Sequence, residues 1–292
     1  MSKKVGFIGL GDMGMPMALR LLGTGPSLTV WTRDSQKLGR FRDTSAMIAT
    51  SPQEVFAQSE IIILMLASAD AVDAVLQRGT EGFSSMCKDR LIVQMGTTLP
   101  AYSKSLETEI LAAGGRYAEV PVSGSSVPAA SGQLVAMQAG DPETLTEIET
   151  IIAPLISAKV DCGAVPAALQ MKLAVNTCLA GVMFGLLEGT NLARQCGLDM
   201  QVFRQVMEAG QMASPVVKMK MPKLVDEDFS TQASVYQTGA NLRMMHGAAE
   251  EVGAQTPLVD SALGMQEKAM AMGFSDSDVS AVIRAYQELN SA

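Results

Sequence analysis

The chain has 292 residues, enough for a sizeable core and two domains, and its 48% apolar content is that of a globular protein, which excludes wholesale disorder. A net charge of −8 argues against nucleic acid or an anionic membrane as a general partner. Four cysteines with no C-x-x-C pair and a single histidine, His246, argue against a zinc site and for a reducing compartment. The first strand opens at about residue 4 with no signal peptide ahead of it, so a cytoplasmic location is expected.

The first predicted unit, Lys4 to Leu22, organises the rest. A short apolar run, Val5 to Ile8, breaks at Gly9-Leu10-Gly11-Asp12-Met13-Gly14 and returns at helical spacing through Met17, Ala18, Leu21 and Leu22. A G-x-G-x-x-G sequence between a strand and a helix is a dinucleotide-binding pattern. Its first glycine permits the tight turn, its second lets a pyrophosphate approach the backbone, and its third lets helix and strand pack closely. The helix N-terminus adds N–H groups and a positive dipole end.

A second strand is expected over Ser27 to Thr32, a polar basic stretch to Arg42, and a short third strand at 46–49. Ser51-Pro52 reads as N-cap and first residue of a helix. The continuous run Ile61 to Leu66 predicts a strand covered on both faces. Helix follows from Ala71 to Leu76, strand from Leu91 to Gln94, helix from about Ala101 to Ala112, and strands at Arg116 to Glu119 and Leu134 to Gln138. This alternation implies right-handed βαβ units and a mostly parallel, doubly wound sheet. It stops near Cys162. Beyond it the signals are helical: Pro166 to Ala193, Asp199 to Ala209, Thr238 to Gly253, Pro257 to Met272 and Asp276 to Leu289. The expected division is a Rossmann-type domain over residues 1–163 and an all-helical domain over 164–292, joined by a long helix. Lys172 is the only charge between Cys162 and Leu187, and that stretch is long enough to span a bilayer. The polar cluster Gln170, Lys172, Asn176 and Thr177 favours a buried helix instead, with no membrane partner.

Three groups could carry chemistry. Thr32 and Arg33 stand at the end of the second strand, where an NAD-specific site usually places an acid. A guanidinium there suits a 2′-phosphate, so NADP is expected over NAD. An inward-turned Asp34 would reverse that preference, and a merely solvated turn is the plain alternative. The loop Pro121-Val122-Ser123-Gly124-Ser125-Ser126 could cradle a carboxylate with backbone N–H groups and hydroxyls, or be an ordinary serine-glycine loop. Lys172 is costly to bury unless used, and burial lowers a lysine pKa toward the range of a proton donor. Asn176 shares its helical face. A lysine that reaches back to the surface is the alternative.

Together these residues resemble the β-hydroxyacid dehydrogenase family, which includes 3-hydroxyisobutyrate dehydrogenases and glyoxylate/succinic semialdehyde reductases, the latter most closely. The signatures are GFIGLGDMG at the turn, VPVSGS at 120–125, K-x-x-x-N at Lys172 and Asn176, and DSDVSAV at 276–282. The resemblance implies an NADP-dependent oxidoreductase acting on a small carbonyl or hydroxy acid, with Lys172 as general acid/base and Asn176 beside it. It also implies that Ser123, Gly124 and Ser125 hold the acid group and that Thr97 lies beside the nicotinamide. Gly9, Gly11, Asp12, Met13, Gly14, Thr32, Arg33, Met65, Leu66 and Thr97 form the expected cofactor set. Two departures stand out. Ala240-Asn241 replaces the family's Lys-Asp, and Gly96 replaces the serine before Thr97. The first admits a shifted substrate, a neutral carbonyl or an imine, and a non-catalytic NADP-binding scaffold is a further alternative. The methionine-rich helical half suggests a homo-oligomer.

Overall fold

The computed structural model describes residues 3–291. The chain divides into two compact units, one ending at Lys172 and one beginning at Leu173. The first opens with β1 (Lys4–Ile8), α1 (Gly14–Leu21), β2 (Ser27–Trp31), β3 (Met47–Ile48), α2 (Pro52–Gln58), β4 (Ile61–Leu64), α3 (Ala69–Leu76) and α4 (Gly82–Cys87). It continues with β5 (Leu91–Gln94), α5 (Pro100–Ala112), β6 (Arg116–Glu119), β7 (Val122–Ser123), α6 (Ser126–Ser131), β8 (Leu134–Gly140), α7 (Pro142–Ile152) and β9 (Ile156–Gly163). The strands form one sheet in the order β3-β2-β1-β4-β5-β6-β8-β7, with β9 paired to β8. The six strands β1 to β6 run parallel, and β8 closes against β6 antiparallel. This is the doubly wound arrangement expected from the βαβ alternation.

Alternate residues feed two cores. Val5, Phe7, Val30, Ile63 and Val93 face one side with Met17, Ala18 and Leu21 of α1 and Ile148 and Ile152 of α7. Ile8, Ile62, Leu64 and Ile92 face the other with Val55 and Phe56 of α2, Leu76 of α3 and Leu106 and Ile110 of α5. All four residues of β4 are buried, as a strand covered on both faces requires. The Ser51 hydroxyl accepts from the Glu54 N–H at 3.2 Å, so the expected cap of α2 is in place.

Several expectations needed correction. The strand expected through Leu66 ends at Leu64, with the Met65 N–H still donating to the Ile8 carbonyl at 2.9 Å. The polar stretch before Arg42 winds into a 3₁₀ turn, Ser35–Phe41, capped by Asp34. The structure adds the helices α4, α6 and α7 and the strands β7 and β9 to the elements that the sequence predicts, although Asp141-Pro142 at the start of α7 is an N-cap and N1 pair like Ser51-Pro52.

The long helix α8 (Ala167–Gln195) carries the chain from the first unit into the second, which adds α9 (Met200–Ala209), α10 (Pro215–Asp226), α11 (Val235–Glu251), α12 (Pro257–Ala271) and α13 (Ile283–Leu289). Leu186, Leu187, Val217, Met221, Leu242, Val259 and Ile283 share its core. The helix expected from Asp276 is instead a 3₁₀ turn, Val279–Val282, followed by α13. By length and composition α8 could cross a membrane. It is not buried all round, as the sequence suggested. Ala168, Leu169, Lys172 and Leu173 are buried while Met171, Val175, Leu179 and Leu192 are exposed, because apolar composition does not fix which sides of a helix are covered.

Candidate active site

Parallel pairing puts the carboxyl ends of β1, β2, β4, β5 and β6 on one edge of the sheet. The order reverses between β1 and β4, and ligands of doubly wound folds bind outside such a switch point. Gly9 follows β1 with φ +103°, a conformation open to glycine, and a side chain there would strike the Met65 carbonyl oxygen. A side chain at Gly14, the first residue of α1, would strike the Gly9 carbonyl oxygen. Around Gly11, by contrast, a Cβ would meet nothing within 4 Å. The N-cap residue of α1 is Met13, whose side chain makes no capping hydrogen bond. A tight turn, an open approach at its second glycine and the helix N-terminus that follows fit the pyrophosphate of a dinucleotide.

The other expected cofactor residues lie along the same edge. Thr32 and Arg33 follow β2, Met65 and Leu66 follow β4, and Thr97 follows β5. Arg33 is exposed and enters no ion pair among the described residues, whereas the Asp34 carboxylate accepts from the Gln36 N–H at 3.1 Å. Asp34 is thus committed to its own turn. Gly96 has a local cause: a side chain there would strike the Leu66 carbonyl oxygen, so the serine at this place in the family would displace the 65–66 backbone.

Ser123, Gly124 and Ser125 leave the sheet at β7. Ser123 pairs with Val135 of β8, Gly124 is exposed, and Ser125 precedes α6. Lys172 is buried, and burial alone lowers its amine to about 8. Asn176 follows one turn later on α8, half-buried. Ala240 and Asn241 are half-buried on α11, in the second unit.

No sequence motif singles out Glu119, the residue just before VPVSGS. It ends β6, fully buried, and its Oε2 accepts from the Leu169 N–H of α8 at 3.2 Å. Its Oε1 has no hydrogen-bond partner among the described residues, nor has the Oε1 of Gln94, its neighbour in register on β5. Burial pushes the Glu119 carboxyl up to about 7, against the pull of the Ser103 hydroxyl and the Leu169 and Ala168 N–H groups. The available signal was an acid in a short strand just ahead of Pro121.

Residues 4–163 match the family model described as the NAD binding domain of 6-phosphogluconate dehydrogenase, and residues 167–286 that of the NAD-binding of NADP-dependent 3-hydroxyisobutyrate dehydrogenase. The chain is 30% identical over 287 residues to glyoxylate/succinic semialdehyde reductase 2, chloroplastic, of Arabidopsis thaliana, covering 98% of this chain and 80% of that protein. Its fold is that of Mycobacterium tuberculosis 3-hydroxyisobutyrate dehydrogenase, solved with L-serine, at 24% identity and a TM-score of 0.86 over 98% of this chain and 99% of that one. The fold of the Aspergillus terreus reductive aminase, solved with NADPH and ethyl levulinate, also matches, at 24% identity and a TM-score of 0.66 over 98% and 100% of the two chains. A glycine turn at the switch point of a doubly wound sheet, a helical second unit and these matches place the chain in the 3-hydroxyisobutyrate dehydrogenase-like family of NAD(P)-dependent dehydrogenases and reductases.

Proposed function

We propose that this protein is an NADP-dependent reductase of small carbonyl compounds, aldehyde acids of the glyoxylate or succinic semialdehyde kind, and that in reverse it oxidises the hydroxy acid. The observation that carries the reading is a buried lysine at about 8, at the family's K-x-x-x-N position, in a chain whose glycine turn fits a dinucleotide. The nicotinamide cofactor, when bound, supplies or accepts the hydride. Lys172 gives a proton to the carbonyl oxygen in reduction and takes it back in oxidation, and Asn176 orients that oxygen. Ser123, Gly124 and Ser125 hold the carboxylate, and Thr97 seats the nicotinamide end. Gly9, Gly11, Asp12, Met13, Gly14, Met65 and Leu66 hold the rest of the cofactor, with Thr32 and Arg33 at its 2′-phosphate. The preference for NADP is supported by an exposed Arg33 with no ion pair among the described residues and by the engagement of Asp34 in its own turn.

Residues 1–163 form the cofactor domain in this reading and 164–292 the helical one. The exposed apolar residues Met171, Val175 and Leu179 support a homo-oligomer, and four free cysteines a reducing, cytoplasmic setting. The Ala240-Asn241 pair favours a second reading, a neutral carbonyl or an imine as substrate, and the reductive aminase shares the fold.

The test is turnover on a panel of aldehyde acids, neutral aldehydes, keto acids and cyclic imines with NADPH and with NADH. Lys172→Ala should lower kcat by roughly 10² to 10⁴ on the best substrate with cofactor affinity little changed. Arg33→Ala should remove most of a preference for NADPH that is about ten- to a hundredfold, the worth of a charge-assisted hydrogen bond. Tight NADPH binding with no turnover across the panel would point to a scaffold instead.

A further inference from the structure

Burying a carboxyl at the end of a strand is unfavourable unless its hydrogen bonds do something an apolar residue could not. Glu119 is such a carboxyl, and it joins two parts of the site within the first unit. From the end of β6 the chain passes through Val120 and Pro121 into β7, whose Ser123 starts the loop read above as the carboxylate cradle. Its side chain crosses to the first turn of α8, where Oε2 meets the Leu169 N–H at 3.2 Å. Lys172 stands three residues after Leu169, one turn along the same helix face. An acceptor at a helix N-terminus satisfies an orphan donor there, and a carboxylate also meets the positive end of the helix dipole. The α8 N-terminus is therefore held from the strand that leads into the loop.

We propose that Glu119 is a positioning residue for Lys172: by gripping the first turn of α8 it fixes the amine relative to the Ser123–Ser125 loop that begins four residues after it in the chain. The proposal rests on the role given to Lys172 under Proposed function. It does not require Glu119 to touch substrate or to exchange a proton with it. Its Oε1 and the Oε1 of Gln94 have no hydrogen-bond partner among the described residues, and the buried Ser103 and Tyr117 hydroxyls are bonded to each other at 2.7 Å. A side chain without an acceptor would leave the Leu169 N–H unsatisfied and the helix turn free to shift. A displacement of the donor by about 1 Å is enough to cost on the order of a hundredfold in rate.

The experiment compares Glu119→Gln, Glu119→Leu and Lys172→Ala by kcat per NADPH-binding site, KM for the carbonyl and Kd for NADPH. Glutamine keeps an acceptor in place and should stay within about threefold of wild type in kcat, while leucine, which keeps the bulk but no acceptor, should lose about ten- to a hundredfold. Kd for NADPH should be unchanged in both. A purely structural role would lower the melting temperature and the number of binding sites without lowering kcat per site. Should Glu119→Leu not fold, Glu119→Thr, too short to reach the Leu169 N–H, replaces it. A folded Leu or Thr variant with wild-type kcat overturns the proposal, and so does a Gln variant as slow as the Leu variant. If Lys172→Ala itself keeps wild-type turnover, the catalytic reading falls and takes this inference with it, an outcome distinct from a Lys172 loss that the Glu119 variants do not share.

Discussion

At Lys172 the fold holds an amine where water cannot solvate its charge, and burial lowers it to about 8. The sign of the pH dependence follows. With Lys172 as the proposed proton donor, carbonyl reduction would need the protonated amine, so its kcat should fall as pH rises through about 8, and oxidation of the product alcohol should rise over the same range. Profiles measured in both directions on one preparation check this, and two profiles with no opposed limbs near that pH would refute it. The same shift has a cost in stability. The unfolded chain holds this proton up to a higher pH than the folded one, so the penalty is fully present below about 8 and fades as pH approaches 10.5. Lys172→Met should therefore stabilise the protein at pH 7 by on the order of 3 kcal/mol, with the gain shrinking toward pH 10.5 in urea titrations. A gain that did not change with pH would mean the effect is packing and not charge.

At the scale of elements, one carboxylate organises the second unit. Asp278 accepts from the Lys220 amine of α10 at 2.8 and 2.7 Å. It accepts also from the N–H groups of Gln232 at 3.0 Å, Ala233 at 3.1 Å and Ser280 at 3.1 Å, and from the Ser280 hydroxyl at 2.9 Å. Although burial pushes its pKa up, Lys220 holds it below the ordinary carboxylate range. The pair ties α10 to the 3₁₀ turn and to the residues just before Ser234, which caps α11 with a bond to the Gln237 N–H at 3.1 Å. Removing one partner strands a buried charge, so Lys220→Met should cost about 3–5 kcal/mol in chemical denaturation. Adding Asp278→Asn should recover part of that loss, and a double variant no more stable than the single one would show that the backbone bonds, not the ion pair, dominate. The stabilisation from a lowered carboxylate is present above its unfolded pKa and is lost as pH falls below it, so the gap between wild type and Lys220→Met should narrow on acidification.

For the whole molecule the question is what the family's missing lysine changes. Ala240 and Asn241 sit half-buried on α11, whose start is fixed by the Asp278 cluster. Loss of a positive charge near an anionic substrate is worth about 1–2 kcal/mol after desolvation and water in a cleft are allowed for. The paired change Ala240→Lys with Asn241→Asp should therefore raise the kcat/KM ratio of succinic semialdehyde to a neutral aldehyde of similar length by about five- to thirtyfold. A flat ratio in a folded variant that binds NADPH would show that position 240 does not face the substrate. The panel of neutral carbonyls and imines would then lose its motive, while the assignment of Lys172 would stand.

Local chemistry was enough to write β1, its glycine turn and α1, the Ser51-Pro52 cap, and β4 and β5, because each rests on contacts within a few residues or on an apolar run. The family motifs likewise marked Lys172, Asn176 and the Ser123–Ser125 loop without any coordinates. The helix α10 was invisible for a reason found in its neighbours. PVVKMKMPKLVD carries an internal Pro222 and three lysines that read as a polar face, yet two of them, Lys220 and Lys223, are buried against Asp278 and Asp228, which lie beyond the helix. Glu119 was missed for the same reason. Whether an acid in a strand faces water or the interior depends on what lies across it, and here its partner is a backbone N–H fifty residues on. Periodicity fixes which residues share a face. Only the assembled sheet and helices decide what that face meets, and so which charges are buried, paired or held at a shifted pKa.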